Sequence, residues 1–142
     1  MSLPLPAKSL YDRLGGVEAV RAVVDEFYKR LVVDQKLAIF FADANVGKLK
    51  IHQLQFLKVA FTEIPKDMDI VGIMIAKHEA LFRDKGLNAD HFDIVASHLV
   101  GACKHLGVSD EMVQEAAAIV VPLRVAFEQG AALHGGNSKE GA

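Results

Sequence analysis

The chain has 142 residues, 51% of them hydrophobic, and sixteen basic against eighteen acidic residues leave a formal charge of −2. That length fits one domain with a self-sufficient core, and without a basic run the chain lacks the clustered positive charge that nucleic-acid binding draws on. The lone cysteine, Cys103, excludes an intramolecular disulfide and points to a reducing, cytoplasmic setting.

Pro4 and Pro6 hold the start of the chain extended, so residues 1–8 are expected to form a loose tail, without the charged start and apolar run of a signal peptide. Ser9 is placed to cap a short helix through Leu14, which Gly15 and Gly16 terminate. From Val17 the apolar set Val20, Val23, Val24, Phe27 and Leu31 marks a longer helix ending near Val32 and Val33. Asp34 can cap a single turn running into Phe40 and Phe41. Asn45 is expected to cap a helix from Val46 to about Thr62, and Pro65 turns residues 63–67 into a loop.

A short helix from about Gly72 to Phe82 follows, closed by Gly86. Asn88 caps the next, with Phe92, Val95, Ala96, Leu99, Cys103 and Leu106 on one face and Gly107 as its stop. Ser109 caps the final helix, with Asp110 and Glu111 set favourably against its dipole; Pro122 should kink it before it ends near Gly130. Residues 9–130 thus form one all-α domain, and residues 131–142 read as a disordered tail. No uninterrupted apolar segment approaches the ~20 residues of a membrane helix, so no membrane partner is expected.

Two polar groups sit oddly in this pattern. His78 shares a helical face with Val71, Met74, Ile75, Leu81 and Phe82, and Gln53 lies in the stripe Leu49, Phe56 and Ala60, with His52 on its border. Burying either group among hydrocarbon costs a few kcal/mol unless it finds a partner. A flat iron cofactor held between the two helices would meet both. Porphyrin supplies four nitrogens, so the protein needs only one axial ligand and an apolar slot. His78 is the candidate ligand, its second ring nitrogen free to donate to a backbone carbonyl; a satisfied core histidine is the alternative. Tyr28, a phenol at the core-facing end of its helix, can join Gln53 in hydrogen-bonding a ligand of the iron, or the two can bond each other or a carbonyl. His91, His98 and His105 recur every seven residues, about 10 Å apart along a helix, too far to share a metal. They read as a solvated edge, His134 as part of the tail, and Cys103 as core.

The ordered set Tyr11 to Gly16, Phe27-Tyr28, Phe40-Phe41, His52-Gln53, His78 and His91-Phe92 resembles the truncated haemoglobins, closest to their first group, from about Ser9 to Val125. The resemblance implies a two-over-two globin sandwich enclosing haem b, iron protoporphyrin IX, with His78 as proximal ligand. It implies further that Phe41 packs on the porphyrin, that Leu49, Phe56 and Phe92 line its slot, that Lys48 meets a propionate, and that Tyr28 and Gln53 form the distal pair. His52 stands where cyanobacterial members carry a histidine that binds the iron internally. The chain departs from the family pattern in four places: residues 62–67 lack its second glycine pair, Leu49 is apolar where some relatives have a polar distal residue, Leu57 replaces a gating phenylalanine of mycobacterial members, and Arg124 replaces a histidine that bonds haem covalently in some cyanobacterial ones. The function implied is reversible binding of O2, NO and CO. The enzymatic alternative, nitric oxide dioxygenation, needs an external reductase that this chain does not supply, and a haem-free helical interaction module is the reading from another class.

Overall fold

A computed structural model describes residues 8–135, and all regular structure among them is helical. The Ser9 hydroxyl accepts the Asp12 N–H and so starts α1 (Leu10–Leu14). Gly15, at φ +122°, then turns the chain directly into α2 (Gly16–Val33), a backbone angle that a side chain would resist. After α3 (Ala38–Phe41), the Asn45 side chain accepts the Lys48 N–H and opens α4 (Val46–Ala60). Next come α5 (Ile70–Lys77), α6 (Glu79–Lys85) and α7 (Ala89–His105). The last two, α8 (Asp110–Val120) and α9 (Arg124–Leu133), are joined by a 3-10 turn over Val121–Leu123. The kink expected at Pro122 is that turn.

Helix α2 packs on α4 to one side and on α7 to the other, and α7 carries α8 and α9. Two helical pairs are therefore stacked, α2 with α4 over α7 with α8 and α9, while α5 and α6 rest on α9. Val20, Val24, Leu57 and Ala102 are each 2% exposed or less and mark the centre of the stack. Each of the valines and Leu57 contributes roughly 1.5–3 kcal/mol by leaving water, and the single methyl of Ala102 less.

Several elements differ from the sequence expectations, each for a local reason. The helix expected from Gly72 to Phe82 is two helices, because the chain breaks at His78 (φ −108°, ψ 8°). The Met74 carbonyl there receives both the backbone N–H of His78 at 3.2 Å and its ring nitrogen at 2.7 Å. Helix α5 also begins earlier than expected, at Ile70, since the Asp69 carboxylate accepts the Gly72 N–H at 3.0 Å. Asp34 opens the turn that runs into α3, as expected, its carbonyl accepting the Leu37 N–H at 3.0 Å. It ends α2, and its carboxylate receives the Lys36 N–H and lies 2.7 Å from Nε2 of His98.

Helix α9 continues past Gly130 to Leu133, with Ala131 in the core, so residues 131–135 belong to the fold. Residues 1–7 and 136–142, where the two tails were expected, lie outside the described residues. Of the three histidines expected on a solvated edge, His91 and His98 are structural and only His105 is solvated. The Asn88 N–H donates to Nδ1 of His91 at 3.1 Å, completing a capping box for α7, and the His91 ring meets Phe40 edge-on at 4.8 Å. His98 ties α7 to the end of α2 through Asp34, whereas His105 is exposed, 3.9 Å from Glu26. His134 caps α9, half-buried, 3.9 Å from Glu79. Finally, Asp110–Leu133 is a near-continuous helical stretch with a mean hydropathy of 1.4 at its most apolar, long and apolar enough to cross a membrane, contrary to expectation. In this fold it is seated on α1, α5 and α7 and buries Val113, Ala116, Leu123 and Phe127.

The closest backbone approach is at Gly130, where a Cβ would stand 2.2 Å from Cε2 of Phe82. Phe82 is 1% exposed and held edge-on by Phe127 at 5.7 Å, so its ring cannot retreat. Overpacking of this kind costs about 1–3 kcal/mol. Gly130→Ala is expected to lower the urea midpoint accordingly with an unchanged m-value.

Candidate functional site

The two helical pairs do not close on each other completely. Between them lies a cavity of about 590 Å³, lined by residues of α2, α3 and α4, of α5, α6 and α7, and by Val120, Leu123 and Phe127 from the last helical stretch. This is the size range of small-molecule and cofactor sites. Its walls are mostly hydrocarbon and aromatic, with a few polar groups among them.

On one wall stands His78, at the break between α5 and α6. Its Nδ1–H donates to the Met74 carbonyl at 2.7 Å, which leaves Nε2 as the lone-pair nitrogen of a ring that lines the cavity. Phe127 of α9 backs the ring at 5.2 Å and Phe82 at 6.4 Å. Burial pushes the imidazole pKa below its ordinary value, and the bond to Met74 offsets this in part. The group is therefore a neutral base, the protonation state that metal ligation requires.

On the opposite wall Tyr28 is 6% exposed, edge-on to Phe27 at 5.4 Å and to Phe41 at 6.1 Å. Burial pushes its pKa up to about 12, so the phenol stays a neutral donor. Gln53 of α4 lines the same wall. Neither polar group hydrogen-bonds any described residue, and no described side-chain polar atom is both sealed off and unpartnered. The two are thus neither paired with each other nor spent on a carbonyl. They are donors open to whatever the cavity holds.

Of the residues singled out from the sequence, Phe41, Leu49, His52, Phe56 and Phe92 line the cavity with His78, Tyr28 and Gln53. Phe92 is buried, whereas His52 is exposed and stands at the rim. Lys48 does not reach the cavity and is exposed. Leu57 lines the wall and is wholly buried. Arg124 is engaged elsewhere, its guanidinium bidentate on Asp93 at 2.9 and 3.2 Å. Cys103 is buried away from this cavity and its thiol pKa is raised by burial, which makes it core rather than a nucleophile. Sequence reasoning missed Phe127, whose place on the last helix's apolar stripe was the available signal. It also missed Asp43, Lys77 and Lys85, which line the mouth and carried no signal in the sequence pattern.

A model of the bacterial-like globin family matches residues 9–129. The chain is 39% identical over 111 residues to the group 1 truncated haemoglobin GlbN of Synechocystis, covering 78% of this chain and 88% of that one. It is 35% identical to the group 1 truncated haemoglobin GlbN of Mycolicibacterium paratuberculosis, over 81% of this chain and 80% of that one. Among solved structures, the 2/2 haemoglobin of Synechococcus in its cyanomet state with covalently attached haem superposes with a TM-score of 0.74, at 34% identity over 84% of this chain and 97% of that one. Chlamydomonas reinhardtii THB4 superposes at 0.72, with 37% identity over 84% of this chain and 94% of that one.

The depressed imidazole pKa has a sign that can be checked. The unfolded chain binds a proton at His78 near pH 6.5 and the folded chain resists it, so folding stability falls as pH drops through and below 6.5. His78→Gln lacks that proton. Urea unfolding at stepped pH is expected to show the stability difference, this chain minus the variant, shrinking toward acid.

Proposed function

Because the chain belongs to the bacterial-like globins, as a group 1 truncated haemoglobin whose cofactor is haem, we propose that it binds O2 reversibly at iron held by His78. The residues of the cavity fit that group. A neutral imidazole with Nδ1 bonded to a carbonyl and Nε2 free is the donor that axial ligation needs. The walls beside it, Phe41, Leu49, Phe56 and Phe92, offer the apolar faces that a porphyrin packs against. When bound, haem supplies a ferrous iron able to take O2, NO or CO.

The observation that carries the reading is the pair of unspent donors opposite His78. Tyr28 and Gln53 line the same cavity as the imidazole, and neither side chain has a hydrogen-bond partner among the described residues. A diatomic ligand that gains negative character would accept from both, each bond to a charged acceptor being worth roughly 1.5–3 kcal/mol. His52 stands at the exposed rim and has to turn inward to reach the iron. Its position favours a resting place outside the ligand space.

Absorption spectra of the purified ferrous and ferric protein test the assignment. A Soret band is expected, and His78→Ala should lose the spectrum of an imidazole-ligated iron. The position of His52 predicts five-coordinate ferrous protein at neutral pH; a six-coordinate low-spin spectrum that vanishes in His52→Ala would assign the sixth ligand to His52 instead. Tyr28→Phe is expected to speed O2 release about ten-fold or more, measured by stopped-flow displacement. An unchanged off-rate would remove the phenol from the ligand site.

A further inference from the structure

The mouth of the cavity carries an uneven set of charges. The lining residues that are also exposed, Asp43, His52, Ile73 and Lys77, mark where the cavity opens, and Lys85 joins them half-buried. The cations there are Lys77 and Lys85. Lys85 is already engaged: its ammonium donates to the Ile39 carbonyl at 2.8 Å and stands 3.8 Å from the Asp43 carboxylate. It thereby neutralises the one carboxylate at the opening and straps α6 to the α3 corner. Lys77 makes no ion pair and no hydrogen bond with any described residue. It is the positive charge left over.

Haem carries two propionate carboxylates on one edge, and that edge faces water when the apolar faces are buried. An anion leaving the cavity at this mouth finds Lys85 already engaged with Asp43 and the Ile39 carbonyl, which leaves Lys77 as the lysine among the lining residues still open to pair with it. We propose that Lys77, rather than Lys48, anchors a haem propionate, so that one short segment supplies two contacts: His78 for the iron and its neighbour Lys77 for the carboxylate. The assignment rests on the reading of His78 as the iron's ligand. Both lysines are exposed, but Lys77 lines the cavity whereas Lys48, on the first turn of α4, lies outside its lining.

Such a pair at an exposed rim is modest and sensitive to salt. Its effect belongs in the rate of haem loss and leaves the spectrum unchanged. The test uses the holoprotein, transferring haem to an excess of a colourless apoglobin acceptor, with Lys77→Met and Lys48→Met compared. Each protein is loaded either with hemin or with hemin whose propionates are methyl esters. Expected is a roughly two- to five-fold faster loss of hemin from Lys77→Met, a gap that narrows at high salt and disappears with the dimethyl ester. Lys77→Glu should lose hemin faster still, while Lys48→Met should match the parent chain. An unchanged rate in Lys77→Met overturns the proposal, as does an equal acceleration with the ester, which would mark a structural role. The effect arising in Lys48→Met instead overturns it too. If the parent chain takes up no hemin at all, the His78 reading fails and this one falls with it, an outcome distinct from the others because it precedes any comparison of variants.

Discussion

The hydrogen bond from the His78 ring to the Met74 carbonyl, at 2.7 Å, is the contact around which the site is arranged. It selects one tautomer and leaves Nε2 as an acceptor. It also shares the carbonyl that would otherwise serve only the helix ladder, and the helix ends there. The His78 carbonyl then opens a new helix by accepting the N–H groups of Leu81 and Phe82 at 3.0 Å each. One side-chain bond thus sets both the protonation of the imidazole and the bend that presents it. Phe82 and Phe127 back the ring from the protein side, and the bare Cα of Gly130 makes the room that Phe82 needs.

The opposite wall works by the reverse rule. Tyr28 and Gln53 have no hydrogen-bond partner among the described residues, yet their polar atoms are not sealed off, so they stay open to the cavity. The cavity thus combines a satisfied imidazole with two unpaired polar groups on mostly apolar walls. A polar cluster that stabilised only the fold would be expected to close on itself.

Much of the fold was legible because helix starts are local events. Ser9, Asn45, Asn88 and Ser109 each accept a backbone N–H two or three residues on, as their chemistry and spacing suggest. Of the cavity residues, Gln53 and His78 were legible as misfits in apolar stripes and Tyr28 as a phenol at the core-facing end of its helix, while Phe41 came only from the family resemblance. What was hidden depends on contacts between distant parts of the chain. His98 looked solvated until the fold brought Asp34, sixty-four positions away, within 2.7 Å. Lys77 and Lys85 looked like ordinary surface lysines, and only the closing of α3 against α6 puts them at an opening. The break at His78 was hidden because an apolar stripe reads the same through a bend as along a straight helix.

Helix α5 has no fully buried residue of its own. Ile70, Ile73 and Met74 turn to the cavity, so a good part of that helix's packing partner is the prosthetic group itself. The helix's other support is α9, against which it packs. A ligand that binds the folded state alone shifts the balance by mass action, so a prosthetic group filling the cavity would steady this wall and couple the firmness of the segment to the supply of iron and tetrapyrrole.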